Sequence, residues 1–342
     1  MKIKILLCYG LTFFVALSES EPLIYPDYFP KPLYDFSQNP LATEKVALGK
    51  ALFYDPILSK DETVSCASCH SSYNAFAHTD HDLSHGIRDQ IGTRNAPALF
   101  NLAWQSTFMW DGAISHLDMQ ALAPITHPKE MDEDMITLVQ KLQEHDQYPS
   151  LFYKAFADSM VTGEHLLKAI SQFQLTLISA NAKYDQVKNG ETQFSEQEQR
   201  GYLLFQENCN TCHTEPLFSN YTFANNALSI DTTLNDFGKG LLTGQQQDSS
   251  RFKIPSLRNL KYSYPYMHDG RFRKLNQVLE HYTSLSEEEL KFSNLEKPIV
   301  LAIKEKIDLQ AFLLTLNDVE FVFNPQHQFP RDFFFPKEEK RQ

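Results

Sequence analysis

The chain has 342 residues, 42% of them apolar and 13% aromatic, which suggests two domains with full cores and excludes a largely disordered protein. Its formal charge of −12 disfavours nucleic acid as a partner and would steer a basic protein towards it, beyond simply keeping it soluble.

The first 20 residues read as a secretory signal peptide. Lys2 and Lys4 form a basic start, Ile5 to Leu17 a short apolar run, and Ala16 and Ser18 a small-residue cleavage region. The run is short for a membrane span, so a retained anchor is the weaker reading. Cys8 lies inside it and lacks the preceding small residue of a lipoprotein signal. Export would place the mature chain in the periplasm.

After a Pro-rich loop at 24–40, Val46, Gly49 and Leu52 fall on one face of a helical stretch ending near Phe53. Cys66-Ala-Ser-Cys69-His70 follows. A second Gly201-Tyr-Leu-Leu-Phe205 precedes Cys209-Asn-Thr-Cys212-His213. Of the five cysteines, all but Cys8 lie in these two pairs. A thioredoxin-type pair would not require the adjoining His, and zinc shared by pairs about 140 residues apart leaves both His residues unexplained. C-x-x-C-H is the pattern for covalent haem c: two thioethers fix the macrocycle, and the adjacent imidazole reaches the iron. Two covalently bound haem c groups are therefore expected, with Cys66, Cys69, Cys209 and Cys212 as attachment points and His70 and His213 as iron ligands.

The segments after the motifs also repeat. Asn95-Ala-Pro97, Trp110-Asp-Gly112 and Leu117 correspond to Ile254-Pro255, His268-Asp-Gly270 and Leu275. Pro97 to Trp110 and Pro255 to His268 are both 13 residues, and Trp110 to Leu117 and His268 to Leu275 are both seven. Apolar periodicity predicts helices over His165 to Ile178 and Glu305 to Leu316, with loops at 238–255 and a polar link at 181–195. The expected fold is mainly α, with two tandem cytochrome c-like haem domains: 21–190 after the signal at 1–20, then 191–342.

With these motifs, Phe108-Met-Trp-Asp-Gly112, Ala123-Pro-Ile125, Glu130-Met131 and Tyr266-Met-His-Asp-Gly270, the chain resembles the bacterial di-haem cytochrome c peroxidases, whose relatives include MauG. The resemblance spans about residues 28 to 320. It implies reduction of hydrogen peroxide to water at the His70 haem, with electrons entering at the His213 haem from a small cytochrome c or cupredoxin. Glu130 matches the acid–base residue, which on composition alone could be a solvated helix-start glutamate. Gln120 matches a second residue of the peroxide pocket and Trp110 the tryptophan between the haems. Asn95, Ser263 and Pro265 match an interdomain calcium site of hard oxygen donors. A homodimer is expected because family members often form one. His85 is the candidate distal ligand of the first haem, with His78 and His81 as alternatives. At the second haem Tyr282 stands where typical peroxidases carry Met, and Met267 is the rival ligand. Tyr282 keeps open a MauG-like oxidase acting on another substrate. A non-catalytic electron carrier is a third alternative, against which Glu130 and Gln120 speak.

Overall fold

The computed structural model describes residues 21–295 and 297–336; the expected signal peptide lies outside them. The fold is mainly helical. Among the described residues the only paired strands are Phe223–Ala224 and Phe252–Lys253, antiparallel, with Phe223 opposite Lys253. No helix among them is long and apolar enough to cross a membrane.

Each copy is built on one helix crossing. The Thr43–Tyr54 helix crosses Gly163–Leu175, and the Glu196–Asn208 helix crosses Ile303–Leu314. Both crossings close on a glycine. A Cβ at Gly49 would lie 1.8 Å from the Ala169 carbonyl oxygen, and one at Gly201 would lie 2.0 Å from that of Asp308. The aromatic pairs repeat as well: Phe53 packs edge-on to Phe173 at 5.2 Å, and Phe205 packs on Phe312 at 5.1 Å. All four rings are buried. Side-chain caps start three of the four helices, from Thr162, Ser195 and the backbone-bonded Glu305.

The loops repeat at a fixed distance of 158 positions. Asn101 and Asn259 are both left-handed, at φ 54° and 62°. Their amides donate to Leu177 O at 2.8 Å and Leu316 O at 3.1 Å, which ties each loop to the end of its crossing helix. The two X-Asp-Gly turns are closed by bridges Phe108–Ile114 and Tyr266–Phe272, with positive φ at Met109, Met267, Gly112 and Gly270. Glycine is required at both turn ends. A Cβ at Gly112 would meet the Phe223 ring at 2.4 Å, and one at Gly270 would meet Asp82 O at 2.1 Å.

The expected helices form, their ends two or three residues earlier, as Gly163–Leu175 and Ile303–Leu314. The expected loop at 238–255 instead contains the short helix Lys239–Thr243 and the strand Phe252–Lys253. The link at 181–195 contains the helix Lys183–Lys188. The final segment does not stay with the second copy. Phe321 and Val322 enter the first copy's core, and Tyr54 donates to His327 O at 2.6 Å.

The helix crossings yield a stability prediction. Gly49→Ala and Gly201→Ala each force a methyl group into a backbone carbonyl and should each cost about 3 kcal/mol. Urea unfolding of the haem-loaded protein should show a lowered midpoint for both, whereas Gly190→Ala, where a Cβ meets nothing within 4 Å but φ is +77°, should cost less.

Candidate haem centres

The first cysteine pair lies on a one-turn helix, Cys66–Cys69, opened by a reciprocal Ser65–Ser68 capping box. This turn holds both thiols towards one side and ends at His70, whose amide donates to Cys66 O at 2.9 Å. The His70 ring donates from Nδ1 to Phe76 O at 2.8 Å, which leaves Nε2 with the lone pair. The second centre repeats this logic: the His213 amide donates to Cys209 O, and its Nδ1 lies 3.1 Å from Pro255 O and 3.3 Å from Phe218 O. Burial pushes both imidazoles down to about 4, so each is neutral, the form that binds iron. Burial also pushes the Cys66 and Cys209 thiols up to about 12.

One cavity of about 620 Å³ reaches both His70 and His213. Its wall is largely apolar, including Leu99, Phe108, Leu257 and Leu279, and it also takes in Cys209 and Cys212. Size, apolar lining and two oriented neutral imidazoles beside cysteine pairs fit haem c in each copy.

Trp110 and His268, equivalent in the repeat, both line this cavity. Trp110 Nε1 donates to Asn95 O at 2.8 Å, while His268 stacks on Phe252 with ring centres 3.6 Å apart. Gln120 is buried in the same wall, and its Oε1 accepts from Gln174 Nε2 at 3.0 Å. That bond turns the Gln120 amide nitrogen away from Gln174 and towards the Met109 sulfur, to which it donates at 3.9 Å, so one of its two N–H groups is left for another acceptor. Glu130 is half-buried, and its charge acts on both Cys66 and Cys69. Burial raises its pKa, opposed by His127, and it makes no ion pair among the described residues. Its backbone is clamped: Ile87 N donates to Glu130 O at 2.8 Å, and a Cβ at Gly86 would strike Glu130 Cα at 2.5 Å.

The two copies differ at one position of the cavity wall. At the shared offset Pro124 corresponds to Tyr282, and both line the cavity. Proline offers no side-chain ligand; Tyr282 offers a phenol. Burial raises the Tyr282 pKa, against a hydrogen bond to Asn226, and Cys209 and Cys212 both act on it electrostatically. Met267 lines the cavity too, with its sulfur accepting from Asn226 Nδ2 at 3.4 Å. His85 lies elsewhere. It borders a second pocket with His78, Asp61 and Asp89; its Nε2 lies 3.7 Å from Asp89, and its ring meets His81 edge-on at 4.9 Å. None of the three histidines lines the large cavity.

Asn95, Ser263 and Pro265 all line the cavity. The Asn95 amide nitrogen donates to Asp82 O at 3.0 Å, leaving its side-chain oxygen as the acceptor a hard cation would use. Sequence reasoning gave no role to Gln174, Lys253 or, within the Ala123-Pro-Ile125 motif, Pro124. Lys253 lines the cavity and donates from Nζ to Gln105 Oε1 at 2.7 Å and Thr107 O at 2.8 Å. Burial pushes its ammonium down to about 7, opposed by Asp111. Pro124 and Lys253 could have been found by extending the repeat.

The profile described as "Di-haem cytochrome c peroxidase" matches residues 43–193. The chain belongs to this family. It is 37% identical over 303 residues to the methylamine utilization protein MauG of Methylorubrum extorquens, covering 85% of this chain and 82% of that one. It is 34% identical over 246 residues to the cytochrome c551 peroxidase of Nitrosomonas europaea, covering 70% and 73%. Among solved structures, a MauG-like protein associated with microbial copper homeostasis superposes with a TM-score of 0.80 at 29% identity, covering 91% of this chain and 99% of that one. Membership makes the chain an oxidoreductase with haem c cofactors.

Protein matured in a host that attaches haem c should retain two haems per chain after denaturation. Replacing Cys66 and Cys69 by Ala should leave one, counted by pyridine haemochrome absorbance and mass.

Proposed function

We propose that this chain reduces hydrogen peroxide at the centre held by His70, with electrons entering at the centre held by His213. The observation that carries this reading is the exchange of Pro124 for Tyr282: the first copy leaves its open face without a side-chain ligand, and the second does not. A bound haem supplies the redox-active iron at which the O–O bond breaks. Overall, hydrogen peroxide takes up two electrons and two protons and gives two waters.

The protein's part is proton handling and placement. The Glu130 carboxylate accepts the proton of the nearer peroxide oxygen and returns it to the departing one. Burial without an ion-pair partner suits this, because it brings the carboxyl's affinity for protons closer to neutral pH. Gln120, held by Gln174, offers an amide N–H group to peroxide. Trp110 lies in the wall shared by the two centres and offers the aromatic step between them. The electron donor would be a small cytochrome c or cupredoxin meeting the chain in the periplasm. Asn95, Ser263 and Pro265 would hold calcium at the junction.

Tyr282 favours a second reading, a MauG-like oxidase. A phenolate ligand stabilises ferric iron and lowers the potential of the entry centre, which suits withdrawal of electrons from a substrate better than their delivery to peroxide.

Steady-state peroxide reduction with a reduced cytochrome c tests the first reading. Glu130→Gln should lower turnover about 10²-fold with both haem spectra intact. In the wild type, kcat/KM should rise with pH through a pKa above the ordinary carboxylate range, because the basic form of Glu130 starts the reaction; Glu130→Gln should lose that limb. Unchanged turnover would return Glu130 to a surface role. For the second centre, Tyr282→Phe should change the low-spin ferric signal in electron paramagnetic resonance, and Met267→Leu should not. The reverse result would make the second centre an ordinary methionine-ligated one.

A further inference from the structure

We infer that the Lys253 ammonium is a built-in cation occupying the pseudo-symmetric counterpart of the site formed by Asn95, Ser263 and Pro265. The inference rests on reading those three residues as a calcium site.

The offset of 158 positions that relates the copies carries Asn95 onto Lys253, Gln105 onto Ser263 and Thr107 onto Pro265. The backbone follows the same relation. Asn95 N donates to His268 O at 2.7 Å, and Lys253 N donates to Trp110 O at 2.7 Å. Each copy therefore lays this position against the aromatic turn of the other. The ends of the two side chains then differ. Asn95 is short and carries an acceptor oxygen, so it needs an added bridge to the Ser263 and Pro265 carbonyls, which in the calcium reading is the cation. Lys253 is longer and brings its own charge. Its Nζ is bonded to oxygens of Gln105 and Thr107, the counterparts of Ser263 and Pro265. Thr107 supplies its backbone carbonyl, as Pro265 would; Gln105 supplies its side-chain oxygen.

The surroundings agree with a cation that has a structural post of its own. Lys253 makes no ion pair among the described residues; the carboxylate acting on it, Asp111, is bound to Arg94 at 2.6 Å. The ammonium also stands 5.6 Å from the Phe108 ring centre, on the attractive face. A tethered ammonium cannot be chelated or diluted away. One side of the junction thus depends on an exchangeable ion, and the other on a nitrogen that the chain itself carries and holds on Gln105 and Thr107.

The test is metal stoichiometry in the haem-loaded protein, measured by calorimetric titration of calcium chloride after chelator treatment. Wild type should bind one calcium per chain, and Lys253→Asn, which rebuilds the Asn95 pattern, should bind two. Asn95→Lys should bind none, and its melting temperature should become insensitive to chelator. Lys253→Met should lose stability that calcium does not restore, whereas calcium should restore Lys253→Asn. A Lys253→Asn protein that still binds one calcium with wild-type affinity overturns the inference. If that variant does not fold, calcium binding or chelator sensitivity retained by Asn95→Lys overturns it. Wild type binding no calcium is a separate result: it removes the Asn95 reading, and this inference with it.

Discussion

The constraint on which the molecule depends is the reciprocal seating of each X-Asp-Gly turn on the other copy. Gly112 closes on the Phe223 ring, and Gly270 closes on the Asp82 carbonyl. The neighbouring amides exchange hydrogen bonds in the same sense, from Asn95 to His268 and from Lys253 to Trp110. Neither turn accepts a Cβ, so the copies cannot slide or separate without losing both contacts. Trp110 and His268 are thereby held in the wall of one cavity that reaches the imidazoles of both attachment motifs, His70 and His213. Electron passage between two centres needs a fixed short path, and this seating supplies the fixity.

A symmetric scaffold then carries asymmetric chemistry at a few positions. Glycine crossings, buried phenylalanines, left-handed asparagines and imidazole-to-carbonyl bonds are common to both halves, because each solves a packing or hydrogen-bonding problem that both copies have. The differences fall where ligands meet the protein: Pro124 against Tyr282, Trp110 against His268, Asn95 against Lys253. Gln120, anchored by Gln174, corresponds to Val278, which has no polar atom to offer. At these equivalent positions the first copy thus has Pro124 and the polar Gln120, and the second has Tyr282 and the apolar Val278.

What the sequence made legible follows the same division. The attachment motifs could be read because covalent chemistry fixes their spacing. The tandem plan could be read because turns under steric constraint keep their offsets. The environment of Glu130 could not be read. Beside Lys129, Asp132 and Glu133 it looks solvated, and only the loop bearing Gly86 and Ile87, more than 40 residues earlier, covers it. The resemblance names His85 as a distal ligand; the bridge from His85 to Ile91 sets its ring beside Asp89 in a second pocket, a placement that no local pattern announces. The return of the final segment onto the first copy left no local signal either, since an aromatic-rich tail can cover any nearby apolar surface.

A buried ion pair sets the orientation of the halves at a second point. Arg258 forms two 2.7 Å bonds to Asp185, and both side chains are fully buried. Tyr28, from the segment that precedes the first copy, adds a third bond to the same carboxylate at 2.7 Å. Arg258 also donates to Pro216 O, close behind His213, and faces the rings of Phe29, Tyr184 and Phe218. Desolvating two charges costs several kcal/mol each, and their attraction repays this only when the remaining donors and acceptors are satisfied. They are well supplied here, so the pair contributes little net stability beyond what an apolar replacement would give, yet losing either partner strands a buried charge. Its value is directional. A bidentate fork fixes both distance and angle, which apolar packing does not. The pair ties the N-terminal segment, the link between the copies and the loop behind the second haem centre into one arrangement, so that the two turns meet in register.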